Sequence, residues 1–423
     1  MSRVSIVLAA AVVAVSLLVS PNFRWNGDAE RMPYAGDFLQ EWTGGYIVRD
    51  GSRERLYDPD YFVAVQHDVG LLGFHLRHDR FIPMVYPPIY YLAVSGLSAL
   101  PYREAAWVWV ALTLGWFAAT IVLLARELHD DASIDGPVPT AARVRRIAAV
   151  AVLPLAVSFM PFAENLVSGQ KATLWLLLLT ITFILLRHGR PLAAGIVFGV
   201  FAVKPQLALV VPLVLLAKGE RRFALGAGLT AALAIAGSLA MGRGLAMAYA
   251  RFAADTADFI RRQPDYVPRL HGLYGFFTLI AGEPTTAVRI ATAIAAGLVV
   301  WLVARLFRGL LDVRSARFLE QFSGLVLATV LLSPHFLTYD LTIVLLPMAL
   351  CGALLLRGGL APARRRPMLW LLVAMYVAAG VAPSIAARTG VQLTTPIMVA
   401  LLGVLAFGDL ATRNVDERPA LPA

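Results

Sequence analysis

An all-α polytopic membrane protein is the fold class this sequence predicts, and three observations carry the prediction. Of 423 residues, 59% are hydrophobic and only 15% charged. Apolar runs close to the length a helix needs to cross a bilayer recur from one end of the chain to the other. The cations stand at the edges of those runs rather than inside them, where they orient helices on a membrane. A soluble domain has no interior large enough for so much apolar surface.

Reading apolar runs between charged breaks gives about twelve membrane helices. They lie near residues 4–20, 105–125, 147–161, 172–186, 191–203, 206–217, 223–241, 286–307, 318–333, 340–356, 368–384 and 394–411. The first run has the charge and length of a secretory signal, with Arg3 before the apolar stretch, but reads as an uncleaved span. Residues 89–100 are a short apolar stretch carrying Tyr90, Tyr91, Ser95 and Ser98, and read as a juxtamembrane or half-inserted helix. Counting them as a span would put Arg143, Arg145 and Arg146 outside.

With the N-terminus inside, short outward connections carry only Lys171, Lys204 and Arg388, whereas Lys218, Arg221, Arg222 and Arg364 to Arg366 fall inside. Two long connections, residues 21–104 and 242–285, then face outward. Long loops obey the positive-inside rule weakly, so their many cations do not count against this arrangement. Neither an internal repeat nor a Gly/Ser-rich or Pro-rich linker divides the chain. Residues 1–423 are expected to form one domain, with 21–104 as an extracytoplasmic active-site loop and 242–285 as a second outward loop.

Several function classes fall away on composition. Cys351 is the single cysteine, so the chain can form no internal disulfide and no Cys-based metal site. The formal charge of +10 sits around hydrophobic segments and calls for membrane lipids as partners rather than nucleic acid. Asp58-Pro59-Asp60 has the spacing of a cation-holding D-x-D, yet Asp-Pro reads as a turn. His75, His78 and Asp79 lack further ligands in sequence reach. A P-loop, a Rossmann fingerprint and a Gly-x-Ser-x-Gly elbow are all missing. No metal or cofactor is expected.

The first long loop opens with a carboxylate in Tyr34-Ala35-Gly36-Asp37-Phe38 and closes on Tyr86-Pro87-Pro88-Ile89. In a chain of apolar helices that pattern reads as an active-site loop. Gly36-Asp37-Phe38, Leu56-Tyr57-Asp58, Tyr86-Pro87-Pro88, Ser168-Gly169-Gln170, Val203-Lys204-Pro205-Gln206 and Ser333-Pro334-His335-Phe336-Leu337-Thr338-Tyr339-Asp340 follow in order. Together, from Asp37 to Asp340, this series resembles glycosyltransferase family 87.

The resemblance implies a GT-C fold and an enzyme of the bacterial plasma (inner) membrane working on its extracytoplasmic face. It would move a sugar, mannose by family precedent, from a polyprenyl-phosphate donor to a lipid-linked or cell-envelope glycan acceptor. It also implies that Asp37 is the general base of a single inverting displacement. Such chemistry needs a base for the acceptor hydroxyl and cations for the departing phosphate.

Each candidate carries a plainer reading beside the functional one. Asp37 is also a favoured N-cap for a helix starting at Phe38, with Glu41 near its first turn. Lys204, the leading phosphate cation, could instead snorkel to the interface. Arg261, Arg262, Arg269 and His271, around Tyr266 and Tyr274, could grip a donor phosphate or face headgroups. His335 could bind phosphate or an acceptor hydroxyl, or brace its own turn. Gln170 and Lys171 could touch the sugar or cap a helix. Glu41, Tyr57, Asp58, Tyr86 and Asp340 are expected to support the acceptor or the loop, Asp340 also as a helix cap. A lipid or glycan transporter or flippase is the rival from another class, though the internal symmetry common in transporters is not visible. A lipid-diphosphate glycan ligase needs much the same base and cations.

Overall fold

The computed structural model describes residues 3–19, 30–129, 153–261 and 266–408. Among them the chain is helical, with no strand and only two isolated bridges, Arg31 with Leu76 and Leu270 with Leu337. Five helices are long and apolar enough to cross a membrane: Tyr102–Leu128, Arg221–Met241, Thr286–Leu306, Thr338–Leu356 and Pro362–Thr389. Shorter apolar helices cover Ile6–Leu18, Ala172–Arg187, Pro191–Val203, Pro205–Ala217 and Thr394–Ala406. Each coincides with an apolar run read from the sequence. Residues 147–152 and 409–411 of the expected spans, and Arg143, Arg145 and Arg146, lie outside the described residues.

At the centre stands the helix Ala316–Leu332, whose side chains from Phe318 to Leu331 are all buried. A helix buried on every side belongs to the core, and the few polar residues of this one have partners there, such as Arg364 for Glu320. It packs against Val210–Ala217, Thr286–Leu306, Leu345–Leu356 and Thr394–Ala406. The peripheral helices instead leave Leu225, Leu233, Ile294 and Trp370 exposed. An outer surface of that kind is what lipid requires, and this is a membrane protein. Pro191–Phe198 and Arg221–Met241 meet backbone to backbone, because a Cβ on Gly195 would fall 2.0 Å from the Phe223 carbonyl oxygen. Small residues are what allow membrane helices so close an approach.

One break in the apolar helices matters for chemistry. Lys204 leaves helical geometry at φ −130° and ψ 70°, between 3-10 turns Gly199–Val203 and Pro205–Leu207. Proline disfavours the α conformation in the residue before it, and here the chain parts at Lys204, ahead of Pro205. The break turns a lysine into the protein instead of leaving it on a helix face.

The first long connection is itself folded. Its helices Phe38–Arg49, Pro59–Gln66 and Pro88–Val94 enclose two aromatic clusters, one around Phe38, Trp42, Tyr102 and Trp109, the other around Tyr57, Tyr86, Tyr90 and Tyr91. Pro88–Val94 rises only about 10 Å, too little for a span. It lies on Phe38–Arg49 instead, where Gly44 leaves room for the Tyr91 ring. In the second connection the helix Arg243–Arg261 places Leu245, Tyr249 and Phe252 on one face. Tyr249 and Phe252 meet the Tyr57 ring at 5.6 and 6.1 Å. The two connections therefore close over the same end of the bundle. At the opposite end Glu127 takes Arg187 at 3.1 Å and His188 at 3.0 Å, and Arg364 grips Glu320 at 3.0 and 3.1 Å.

Candidate active site

Asp37 stands immediately before the helix Phe38–Arg49, yet its side chain caps none of that helix's amides. The half-buried carboxylate turns the other way, and its Oδ2 accepts a 2.6 Å hydrogen bond from Gln170 Nε2. The capping reading of Asp37 is corrected by this geometry. Its backbone amide donates to the Ser168 carbonyl at 2.8 Å, and Trp109 Nε1 donates to the Gly169 carbonyl at 2.7 Å. Gly169 has φ +62°, and a Cβ there would fall 1.9 Å from the Ala35 carbonyl oxygen, so glycine alone fits. The turn Ser168 to Lys171 is thus seated directly on the segment that presents Asp37.

Capping and contact separate cleanly in that turn. Asn165 Oδ1 accepts the Ala172 amide at 2.7 Å and caps the following helix, which frees the Gln170 and Lys171 side chains. Lys171 forms an ion pair with Glu41, and both side chains are 1% exposed. Its ammonium lies 4.2 Å from the Tyr86 ring centroid and 5.4 Å from that of Tyr90. Burial pushes the Glu41 carboxyl above its ordinary range, and Lys171 pulls against it. Lys171, expected beside the donor, is therefore enclosed and committed to Glu41.

Three further pairs are linked to Asp37 electrostatically: its charge reaches Glu164, Arg269 and Tyr266, and Tyr86 senses it together with Lys204 and Asp340. Lys204 Nζ lies 2.5 Å from Asp340 Oδ1, both side chains almost wholly buried, and Asp340 Oδ2 also receives the Leu337 amide at 3.3 Å. Arg269 donates to Glu164, whose carboxyl is pushed up by burial and pulled back by that arginine. The Tyr266 hydroxyl lies 2.9 Å from His335 Nε2, with the two rings stacked at 5.3 Å. Burial first, then the charges of Asp37 and Asp340, raise the Tyr266 phenol. Burial also raises Tyr86, where Lys204 opposes and Glu41, Asp340 and Asp37 add. Asp37 and Asp340 thus act on common neighbours although they lie in distant parts of the sequence. Glu164 was not picked out from the sequence; a lone carboxylate shortly after the apolar run 147–161 was the available signal.

Other candidates have structural roles. His271, expected near the donor phosphate, is fully buried, with Nδ1 2.6 Å from the Thr394 hydroxyl and Nε2 3.1 Å from that of Thr338. Burial, then the Arg269 charge, lowers its pKa to about 3, so the imidazole is neutral at ordinary pH. It staples the second connection to the Thr338 turn and offers no charge to an anion. Asp58 is a helix cap rather than a turn residue: its Oδ1 accepts the Tyr61 amide at 3.2 Å, with Pro59 in the first helical turn and Arg55 paired at 3.1 Å. The Tyr57 hydroxyl donates to the Tyr86 carbonyl at 2.6 Å and braces the loop. His78 pairs with Glu30 at 3.0 Å and Asp79 with Arg77 at 2.5 Å. The Arg261 side chain and all of Arg262 lie outside the described residues.

The sequence model of glycosyltransferase family 87 matches residues 84–334, more than half of the chain. No curated protein and no solved structure matches this one. Asp37 and Glu41 precede the matched range; Gln170 and Lys171, inside it, are the residues that hold them.

Proposed function

The chain belongs to glycosyltransferase family 87, and from that premise we propose an inverting transfer of a sugar from a polyprenyl-phosphate donor, with Asp37 as general base. The observation that carries this reading is the Asp37 carboxylate, half-open, fixed by Gln170, and linked electrostatically to Glu164, Arg269, Tyr266 and, through Tyr86, the Lys204–Asp340 pair. A base must be both reachable and oriented, and a carboxylate held through one oxygen keeps the other for a substrate proton.

In the proposed step the acceptor hydroxyl oxygen attacks the anomeric carbon from the face opposite the phosphate. Its bond to carbon forms as the bond from carbon to the phosphate oxygen breaks. The hydroxyl proton passes to Asp37, and the electron pair leaves with the polyprenyl phosphate, inverting the anomeric centre. Lys204 and Arg269 offset the growing phosphate charge. Each starts from a carboxylate partner, Asp340 or Glu164, so binding an anion requires sharing the cation rather than capturing a free one. His335, half-buried and joined to Tyr266, supplies a polar contact to phosphate or acceptor.

The donor sugar is proposed as mannose and the acceptor as a lipid-linked or cell-envelope glycan, both on the family resemblance. The site is proposed to face the extracytoplasmic side of a bacterial plasma membrane; the distribution of Lys and Arg between short connections supports the outward face, and the family resemblance supports the membrane. Purified protein in liposomes, given polyprenyl-phosphate mannose and an envelope glycolipid fraction, should release polyprenyl phosphate and form a mannosylated product of inverted configuration. Equal transfer from a nucleotide sugar with no lipid carrier present would overturn the donor assignment.

A further inference from the structure

We infer that the buried Glu41–Lys171 ion pair is a positioning unit for the Asp37 carboxylate, acting through Gln170; the inference rests on Asp37 being the base. Two parallel cross-links join the same two elements. Asp37 and Glu41 are four residues apart, on one side of the start of Phe38–Arg49. Gln170 and Lys171 are neighbours in the turn seated against it. The first cross-link is the 2.6 Å bond from Gln170 to Asp37, and the second is the ion pair from Lys171 to Glu41.

The chemistry of the second link argues for precision rather than cohesion. Enclosing two charges costs much of what their attraction returns, and apolar residues of the same volume would hold the packing as well or better. What an ion pair adds is a defined register. Lys171 is further confined by the Tyr86 and Tyr90 ring faces, so its backbone, and with it Gln170, has little freedom to slide. Neither Glu41 nor Lys171 is open to substrate at 1% exposure, so any effect on turnover must pass through a neighbour. Gln170 is the neighbour that touches the base. A shift of about 1 Å in a reacting group can cost on the order of 10²-fold in rate, which makes such a clamp consequential.

The test is a cycle on the full-length protein in liposomes. The double variant Glu41→Gln/Lys171→Met removes both charges together and leaves no uncompensated ion. It is measured alone and combined with Asp37→Asn, recording kcat, donor KM and thermal midpoint. The expected result is a loss in kcat of about 10-fold or more, an unchanged donor KM, and no further loss once Asp37 is already Asn. An equal loss with and without Asp37, or no loss at all, overturns the positioning role. Near-wild-type turnover by Asp37→Asn alone is a separate arm that overturns the base assignment itself and the clamp with it. Where the double variant does not insert, Lys171→Arg keeps the charge but alters its reach, and the same cycle is read.

Discussion

Gln170 Nε2 lies 2.6 Å from Asp37 Oδ2 across 133 residues of sequence. That bond lets chemistry be separated from folding at Asp37. Asparagine matches the size of aspartate and can still accept from Gln170, but it has no basic oxygen for a substrate proton. General-base catalysis contributes about 10² to 10⁴ in rate. Asp37→Asn should therefore insert normally, bind the donor with little change and lose at least about 10²-fold in turnover. A well-folded Asp37→Asn enzyme with near-wild-type transfer would move the base elsewhere, with Glu164 and His335 the next to examine.

The helical membrane architecture was legible because hydropathy acts locally: most of the apolar runs are helices, the runs 191–203 and 206–217 bracket the break at Lys204, and only the run near 147–161 departs, its described part parting at Ser158 and Phe159. Asp37 was legible as a carboxylate at the head of the first connection, but not that its side chain would leave the helix it precedes and turn to Gln170. Pairings were not. Lys171 with Glu41 and Lys204 with Asp340 span 130 and 136 residues, and periodicity carries no information about which helix ends meet. His271 shows the same limit. Beside Arg269 and two tyrosines it reads as part of a cationic grip, and only tertiary burial against Thr338 and Thr394 makes it a neutral staple.

At the Lys204–Asp340 pair, changing both residues should cost far less stability than changing either one. Removing one partner leaves a buried ion with no counter-charge, which costs about 3 to 5 kcal/mol. Lys204→Met and Asp340→Asn should each lower the thermal midpoint sharply. Combined, they remove both charges and should recover most of that stability. Activity should not return with it, because the proposed phosphate cation is still gone. Recovery of both stability and turnover in the combined variant would make the pair purely structural.

The His271 staple predicts how stability responds to acid. An unfolded chain binds a proton at this residue near pH 6.5, whereas the folded imidazole resists protonation down to about pH 3. Between those values the unfolded state holds more protons, so stability rises with pH across the window and is flat above it. Acidification below pH 6.5 should cost about 1.4 kcal/mol per pH unit from this group. Thermal midpoints of the wild type in detergent, taken from pH 7.5 to 5, should fall along that slope. His271→Gln, which cannot titrate, should show a shallower decline. Parallel slopes for the two proteins would mean that the imidazole titrates normally and is not held neutral.

Orientation in the membrane is the last prediction. Residues 21–104 and 242–285 are placed outside because only that arrangement leaves the short outward connections poor in cations and puts Lys218, Arg221, Arg222 and Arg364 to Arg366 inside. The single native cysteine, Cys351, is buried and gives little labelling background. Ser52, in the first connection, and Ala363, at the start of Pro362–Thr389, both reach the surface at opposite ends of the bundle. An impermeant thiol reagent applied to intact cells should label Ser52→Cys and spare Ala363→Cys until the membrane is opened. Labelling of Ala363→Cys but not Ser52→Cys would invert the protein, put the Asp37 site on the side where nucleotide sugars are available, and remove the topological reason for a lipid-phosphate donor.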